Sequence, residues 1–165
     1  MTFYVLGGYK MNLQETDRKF PYAESALGFT YKLSTSGKWV LATLVKGKAI
    51  FDDSYEFYQA VTVGGDMDLR GFRNNRFSGK RALYQSTDLR LNLGKIRNGF
   101  APIRYGVFGG FDYGRVWVPN EISDKWHQAY GGGIWINGVN LVTGQMSLFN
   151  STDGLRFTAG LGFGF

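Results

Sequence analysis

Hydrophobic and polar side chains alternate along eight segments of this sequence, and that pattern restricts the fold more than any other feature. The segments are residues 2–13, 21–33, 39–51, 82–93, 102–117, 128–137, 141–149 and 155–165. Successive side chains of a strand point to opposite faces, so a period of two predicts β-strands. Each segment has roughly the ten residues that a tilted strand needs to cross a bilayer. The chain is therefore predicted to be one all-β domain, residues 1–165, with eight antiparallel strands.

The two faces of these strands differ in chemistry. One face is almost entirely aliphatic and aromatic, whereas the other carries acids and bases from nearly every segment: Lys10, Glu24, Lys32, Lys46, Lys48, Asp88, Arg90, Arg104, Asp112 and Arg156. A soluble barrel or sandwich would turn the apolar face inward, and a membrane barrel would turn it toward lipid. Because a charge facing lipid at mid-depth costs roughly 2–4 kcal/mol, the charges of a membrane barrel must face its lumen. The mixed charges and the aromatic strand ends favour a transmembrane barrel, with the soluble barrel as the alternative.

The composition excludes several kinds of site. The chain has no cysteine, which excludes disulfides and thiolate metal sites, and His127 is its only histidine. The formal net charge is +6, but the cations do not form the basic cluster expected of a nucleic-acid-binding face. We therefore expect no cofactor, no metal, no nucleic-acid partner and no enzymatic activity.

One connection is far longer than the others. Residues 52–81 join the third and fourth predicted strands, whereas connections in compact domains usually have about 4–6 residues. The loop contains several aromatic and aliphatic residues, which predicts an ordered loop rather than a disordered one. At its centre lie Gly64 and Gly65, followed by Leu69, Arg70, Gly71 and Phe72. We expect this loop to fold toward the lumen.

The loop and three strands together resemble the membrane barrel of the BamA superfamily of outer-membrane proteins, also called the bacterial surface antigen family. Gly64-Gly65 with Leu69-Arg70-Gly71-Phe72 resembles the family's double-glycine and Val-Arg-Gly-Phe/Tyr loop signature. Residues 110–117 resemble its Phe-x-Asp-x-Gly-x-Val-Trp strand, and residues 86–90 its Leu-Glu-x-Arg strand, with Asp88 in place of glutamate. The last segment, with Phe157, Leu161, Phe163 and Phe165, resembles the C-terminal signal that outer-membrane assembly machinery recognises.

The resemblance has limits that bear on function. Family barrels have about twice as many strands and carry periplasmic domains at their N-terminal end. By resemblance, this sequence corresponds to the C-terminal half of such a barrel without periplasmic domains. The implied location is the bacterial outer membrane, and the implied partners are outer-membrane lipid and the assembly machinery.

The resemblance also implies a role for Arg70. In the family the loop arginine enters the lumen and pairs with acids on the wall, which here are Asp88 and Asp112. Gly71 would let the backbone approach the wall, and Phe72 would pack where Gly106, Gly110 and Gly114 clear it of side chains. The functional interpretation is a latch that holds the loop inside the barrel. The alternative is an ordinary lumenal ion pair that stabilises the fold.

We expect an integral outer-membrane barrel related to proteins that insert or translocate polypeptides. The alternatives are a passive pore, or a membrane anchor module of a larger and enzymatic protein. For closure, residues 2–13 are predicted to pair with residues 155–165 within one chain, because an exposed strand edge in lipid is very costly. A homodimer that joins the edges of two chains is the alternative to that closure.

Overall fold

The computed structural model describes residues 2–11, 19–52, 57–65, 68–97, 102–119, 125–138 and 142–163. Its strands are β1 (Thr2–Met11), β2 (Lys19–Lys32), β3 (Trp39–Ile50), β4 (Val61–Val63), β5 (Phe77–Gly79), β6 (Arg81–Arg97), β7 (Pro102–Trp117), β8 (His127–Gly138), β9 (Val142–Ser151) and β10 (Gly154–Phe163). A 3₁₀ turn covers Phe57–Gln59. No helix in these ranges is long and apolar enough to cross a membrane.

Eight of the strands form one antiparallel sheet in the order β1-β2-β3-β6-β7-β8-β9-β10. The short strands β4 and β5 form a separate hairpin within the long loop. All eight predicted strands are present, so the all-β fold class is confirmed. Residues 12, 13, 164 and 165, at the ends of the first and last predicted strands, lie outside the described residues.

The alternation of the sequence is reproduced in the burial of the strands. On β7, Gly106, Phe108, Asp112 and Gly114 are buried, and the residues between them are largely exposed. The outer face is apolar, and Val5, Tyr31, Leu155 and Leu161 are 64–76% exposed there. Water-soluble monomers rarely expose a contiguous apolar area of this extent. The face with the charges is the one covered by the long loop, and we call it the lumenal face.

A hydrophobic core forms between the loop and the lumenal face, as the predicted loop direction requires. It consists of Val63, Leu69 and Phe72 from the loop and Ala82, Tyr84, Phe108, Ala129 and Phe149 from the strands. The three loop residues are each no more than 1% exposed. The loop is therefore an integral part of the packing of the sheet.

Strand β6 contains a β-bulge and continues beyond its predicted end. Asn92 pairs with Gly106 and Gly94 pairs with Tyr105, so the register shifts by one residue between them. The predicted strand 82–93 is too short, because residues 94–97 continue β6. The extra residue inverts the alternation, and a sequence pattern with a fixed period of two therefore ends too early.

The sheet is open in the structure. Among the described residues, β1 is paired with β2 and β10 with β9, and no ladder joins β1 to β10. The predicted closure of residues 2–13 on residues 155–165 is therefore not formed. An eight-stranded barrel has an interior only wide enough for its own side chains. Here the loop packs on the lumenal face and takes up space in that interior.

Candidate functional site

The loop reaches the lumenal face through a short hairpin and a tight turn. Gly64 and Gly65 follow β4 with φ angles of 126° and 102°. The backbone N–H of Gly65 donates to the carbonyl of Leu69 at 3.1 Å, and the N–H of Asn75 donates to the carbonyl of Gly64 at 3.2 Å. These bonds close the tip of the loop, residues 64–75, within which residues 66 and 67 are not described. The tip presents Arg70 to the strand wall.

Arg70 is bound to Asp112 of β7 through three hydrogen bonds. Its backbone N–H and its Nε donate to Asp112 Oδ2 at 2.8 and 2.9 Å, and its Nη2 donates to Oδ1 at 2.6 Å. The planar guanidinium fork matches the two oxygens of one carboxylate, which is a geometry lysine cannot provide. The structure thus brings together two of the predicted site residues. Both the charged side chain and the backbone N–H of Arg70 contact the Asp112 carboxylate.

Asp88 on β6 is the second carboxylate at this position. Arg70 Nη2 lies 2.8 Å from Asp88 Oδ1 as a charge contact, and Arg90 Nη2 donates to Asp88 Oδ2 at 3.0 Å. Ser86 lies opposite Asp112 in the strand register, and its Oγ donates to Asp112 Oδ1 at 2.9 Å. Two carboxylates therefore face two guanidinium groups, and the cluster is balanced in charge.

The Arg70–Asp112 pair is buried as well as bonded. Arg70 is 8% exposed and Asp112 is 0% exposed. The Phe149 ring lies 4.1 Å below the guanidinium, within the range of a cation–π contact. Burial by itself would lower the pKa of Arg70, but its hydrogen bonds and charge contacts with Asp112, and then the charge of Asp88, raise that pKa above its ordinary value. The environment of Arg70 therefore favours its charged form.

Two glycines, Gly71 and Gly110, allow Arg70 to approach the strand wall and its carboxylates this closely. Gly71 has a φ of 87°, and a Cβ there would lie 3.3 Å from the Cβ atoms of both Ala129 and Phe149. Its carbonyl accepts a hydrogen bond of 2.7 Å from Ser151 Oγ. At Gly110, a Cβ would lie 2.8 Å from both Arg70 Nη2 and Asp88 Oδ1. Any larger residue at position 110 would therefore separate the two charges or displace the loop.

Phe72 packs in a different place from the one predicted. The side chains nearest to Gly106, Gly110 and Gly114 come from Trp135, Arg70, Asp88, Phe149, Tyr84 and Leu69. The Phe72 ring instead contacts Phe77 at a centroid distance of 5.1 Å and His127 at 5.9 Å, both edge to face. Leu69, which was predicted only as part of the motif, is the side chain that covers Gly114. Leu69 therefore packs against β7, and Phe72 packs against Phe77 of β5 and His127 of β8.

Sequence reasoning missed several residues that hold the loop. His127 lies outside the predicted strand 128–137, but it begins β8 and stacks on Phe77 at 3.7 Å between centroids. Arg76 Nε donates to Asp153 Oδ2 at 2.9 Å, and Lys48 Nζ lies 3.5 Å from Asp68 Oδ2. Alternation alone could have placed Phe149 on the lumenal face, because it is two residues from Ser147. No sequence signal connects Arg76 with Asp153, since that contact depends on the fold of the loop.

The residues of the predicted C-terminal assembly signal lie at the free edge of the sheet. Phe157 and Leu161 are on the outer face of β10 and are 61% and 76% exposed. Phe163 is the last residue of β10, and Phe165 lies outside the described residues. Within the described ranges, no three acidic or histidine side chains are grouped so that they could hold a metal ion.

The fold and the site define a class: a strand-built barrel wall with an apolar outer face and a charged inner face to which an arginine loop is bound. A family model for the haemolysin secretion/activation protein ShlB/FhaC/HecB matches residues 8–138. That match covers more than three quarters of the chain, and the chain belongs to this family. No curated protein and no solved structure matches it significantly.

Membership of this family agrees with the predicted resemblance at a coarser level. The ShlB/FhaC/HecB family is related to BamA, and its members are outer-membrane secretion proteins rather than enzymes. The match includes the loop and strands β6, β7 and β8, and it ends at the last residue of β8. The C-terminal signal therefore lies beyond the matched residues, and the correspondence to one half of a barrel stays a prediction.

Proposed function

We propose that this chain forms part of an outer-membrane barrel that translocates polypeptide, and that the Arg70 loop is the latch that keeps its lumen occupied at rest. The observation that supports the latch most strongly is the bidentate contact between buried Arg70 and fully buried Asp112. An ordinary wall-to-wall ion pair would stabilise the sheet alone. Here one partner belongs to a long loop that enters the lumen, so breaking the pair would remove the charged contact that joins the loop tip to the wall.

The orientation follows from the lengths of the connections. The 30 residues between β3 and β6 and the nine between β7 and β8 lie at one end of the sheet. The β2–β3 and β6–β7 connections at the other end have six and four residues. Bacterial barrels have short periplasmic turns and longer extracellular loops. We therefore assign the end with the latch loop to the cell exterior and the opposite end to the periplasm.

Removing the gene from its source bacterium tests the translocation proposal. Mass spectrometry of the culture medium is expected to show the loss of at least one secreted polypeptide, which the wild-type gene restores. In planar bilayers, the purified wild-type protein is expected to conduct weakly because the loop fills the lumen. An unchanged medium together with steady conductance of the wild type would instead identify a passive pore.

The free edges β1 and β10 also need partners in a membrane. Because unpaired backbone groups are not tolerated in lipid, we propose that two copies join β1 of one to β10 of the other. A barrel of twice the strand number would have room for both loops. In this dimer the apolar outer face would still contact lipid. The signal predicted on β10 would still be recognised by the assembly machinery, as in the single-chain barrel.

Cysteine crosslinking distinguishes the two ways of closing the barrel, since the chain contains no cysteine. One cysteine is placed at Val5 and a second is scanned over Leu155, Phe157, Ala159 and Leu161. Oxidation is expected to give a crosslinked dimer as the main product on a denaturing gel, and each single-cysteine variant serves as the control. A crosslinked monomer as the main product would show that one chain closes on itself.

A further inference from the structure

A second feature of the lumenal face lies on the periplasmic side of the latch. It is a cavity of about 920 Å³ that extends from Asp88 and Phe108 to the end of the sheet where β2 passes to β3 and β6 to β7. The latch residues Arg70 and Asp112 do not line it. A polypeptide approaching from the periplasm would meet this cavity, which we call the vestibule, before it reached the loop.

The vestibule is strongly cationic. Five basic side chains and one carboxylate line it: Lys32, Lys38, Arg90, Lys95, Arg104 and Asp88. The carboxylate is already bound to Arg70 and Arg90. Within the part of the chain that the structure describes, Lys32, Lys38, Lys95 and Arg104 have no carboxylate at ion-pair distance. Elsewhere on the lumenal face, by contrast, Lys46 is paired with Glu24 and Lys48 with Asp68.

Two of these cations face each other directly. The bulge in β6 places Lys95 opposite Arg104 on the lumenal face and Ile96 opposite Ile103 on the outer face. Like charges in directly opposite positions of an antiparallel pair destabilise the sheet. The fold therefore maintains an unfavourable pair at the cavity wall, and an anionic ligand between the two groups would relieve it.

The spacing of the cations indicates a ligand with several negative charges. Lys32, Val40 and Arg90 form one row across β2, β3 and β6, so the backbones of Lys32 and Arg90 are two strand spacings, or about 9.5 Å, apart. Lys95 and Arg104 form a second row nearer the periplasmic end. A single phosphate cannot bridge both rows, whereas carboxylates repeated along an extended chain can.

The remaining lining suits a peptide backbone. Side-chain amides come from Asn92, Asn137 and Gln145, and hydroxyls from Ser36 and Thr143. The apolar side chains Val40, Leu93, Phe108 and Trp135 also line the cavity. Asn137 Nδ2 donates to Thr143 Oγ1 at 2.7 Å, which orients the amide at the cavity wall. Amides both donate and accept hydrogen bonds, as a passing peptide group requires.

We propose that the vestibule binds an acidic, carboxylate-rich stretch of the translocated polypeptide in extended form. The proposal rests on the proposed function and adds the chemical class of the substrate segment. Binding at this point would hold the segment directly below the Arg70–Asp112 pair. Because the lining is cationic and partly open, its affinity is expected to fall as the ionic strength rises.

The test measures binding without translocation. The full chain in detergent is titrated with a fluorescein-labelled oligoglutamate peptide and followed by fluorescence polarisation. A Gly-Ser peptide of equal length and inorganic phosphate are the competitors. The Lys95→Gln/Arg104→Gln variant is expected to bind oligoglutamate about tenfold more weakly, because it loses two partly exposed ion pairs. Tenfold corresponds to about 1.4 kcal/mol.

The matched control removes two exposed cations at the opposite end, in the Arg73→Gln/Lys125→Gln variant. Its affinity is expected to stay within about twofold of wild type. Equal weakening by both variants, or displacement of the peptide by phosphate at equal total charge, would overturn the proposal. If the first variant does not fold, as judged by circular dichroism, Lys32→Gln/Lys38→Gln replaces it with the same expectation. A failure here leaves the gene-deletion result unaffected, so the two proposals fail separately.

Discussion

Replacing Arg70 by alanine is expected to lower the free energy of unfolding by about 3–5 kcal/mol. Removing one partner of a buried ion pair leaves the other charge desolvated and unpaired, and that cost exceeds the value of the contact itself. Asp112 is fully buried and would lose its charged partner together with the two side-chain hydrogen bonds from Arg70. The backbone N–H of residue 70 and Ser86 Oγ would be its remaining donors. Urea unfolding of the protein in detergent or lipid vesicles, followed by tryptophan fluorescence, measures the change.

A double-mutant cycle separates the pair from the rest of the loop. Asp112→Asn keeps the shape of the side chain and removes its charge, so it should cost a similar amount. The double variant should cost clearly less than the sum of the two single variants, because the two residues share one set of contacts. Arg73→Ala is the control, since Arg73 is exposed on the same loop. Additive effects would show that Arg70 and Asp112 act independently and that no latch exists between them.

The same variants separate a latch from a purely stabilising pair. If the pair holds the loop in the lumen, Arg70→Ala raises the conductance of reconstituted protein even where most molecules remain folded. If the pair only stabilises the wall, conductance stays at the wild-type level until the protein unfolds. Lys is an informative replacement at position 70, because it retains the charge but cannot provide the two-pronged contact with Asp112.

The sheet could be predicted from the sequence because a membrane barrel has a particularly regular pattern. Every strand must present an apolar face to lipid, so the alternation continues along its whole length. The same pattern placed Asp88 and Asp112 on one face of neighbouring strands. The pattern failed at the bulge in β6, where one extra residue inverts the facing of Lys95 and Ile96.

The contacts of the loop were less predictable, because they depend on tertiary structure and not on the two-residue period of the strands. Arg70 could be matched with two acids by resemblance, but neither the backbone bond to Asp112 nor the Phe149 ring beneath the guanidinium has a local signal. The position of Phe72 beside Phe77 and His127 depends on how the β4–β5 hairpin is placed. The open edges β1 and β10 could not be predicted by counting strands, because eight strands are also compatible with a closed barrel.

The second large effect is expected at Phe72, where alanine should lower the free energy of unfolding by about 3–5 kcal/mol. Its ring is fully buried between the loop and the strands, and removing a buried aromatic side chain costs its transfer free energy plus the cavity left behind. Two edge-to-face ring contacts, with Phe77 and His127, would be lost as well. Phe72→Leu should recover most of the stability, because it refills much of the cavity.

Phe57 is the matched control, since it is a phenylalanine of the same loop but is 84% exposed. Phe57→Ala should change the free energy of unfolding by no more than about 0.5 kcal/mol. Measuring the effects of Arg70→Ala and Phe72→Ala at low and high salt shows which kind of contact holds the loop. Salt screens exposed charges far more than buried pairs and leaves apolar packing intact, so neither Arg70→Ala nor Phe72→Ala should lose its effect at high ionic strength. If Phe72→Ala costs no more than Phe57→Ala, the loop is not packed against β8, and the lumen is not filled in the way that the latch requires.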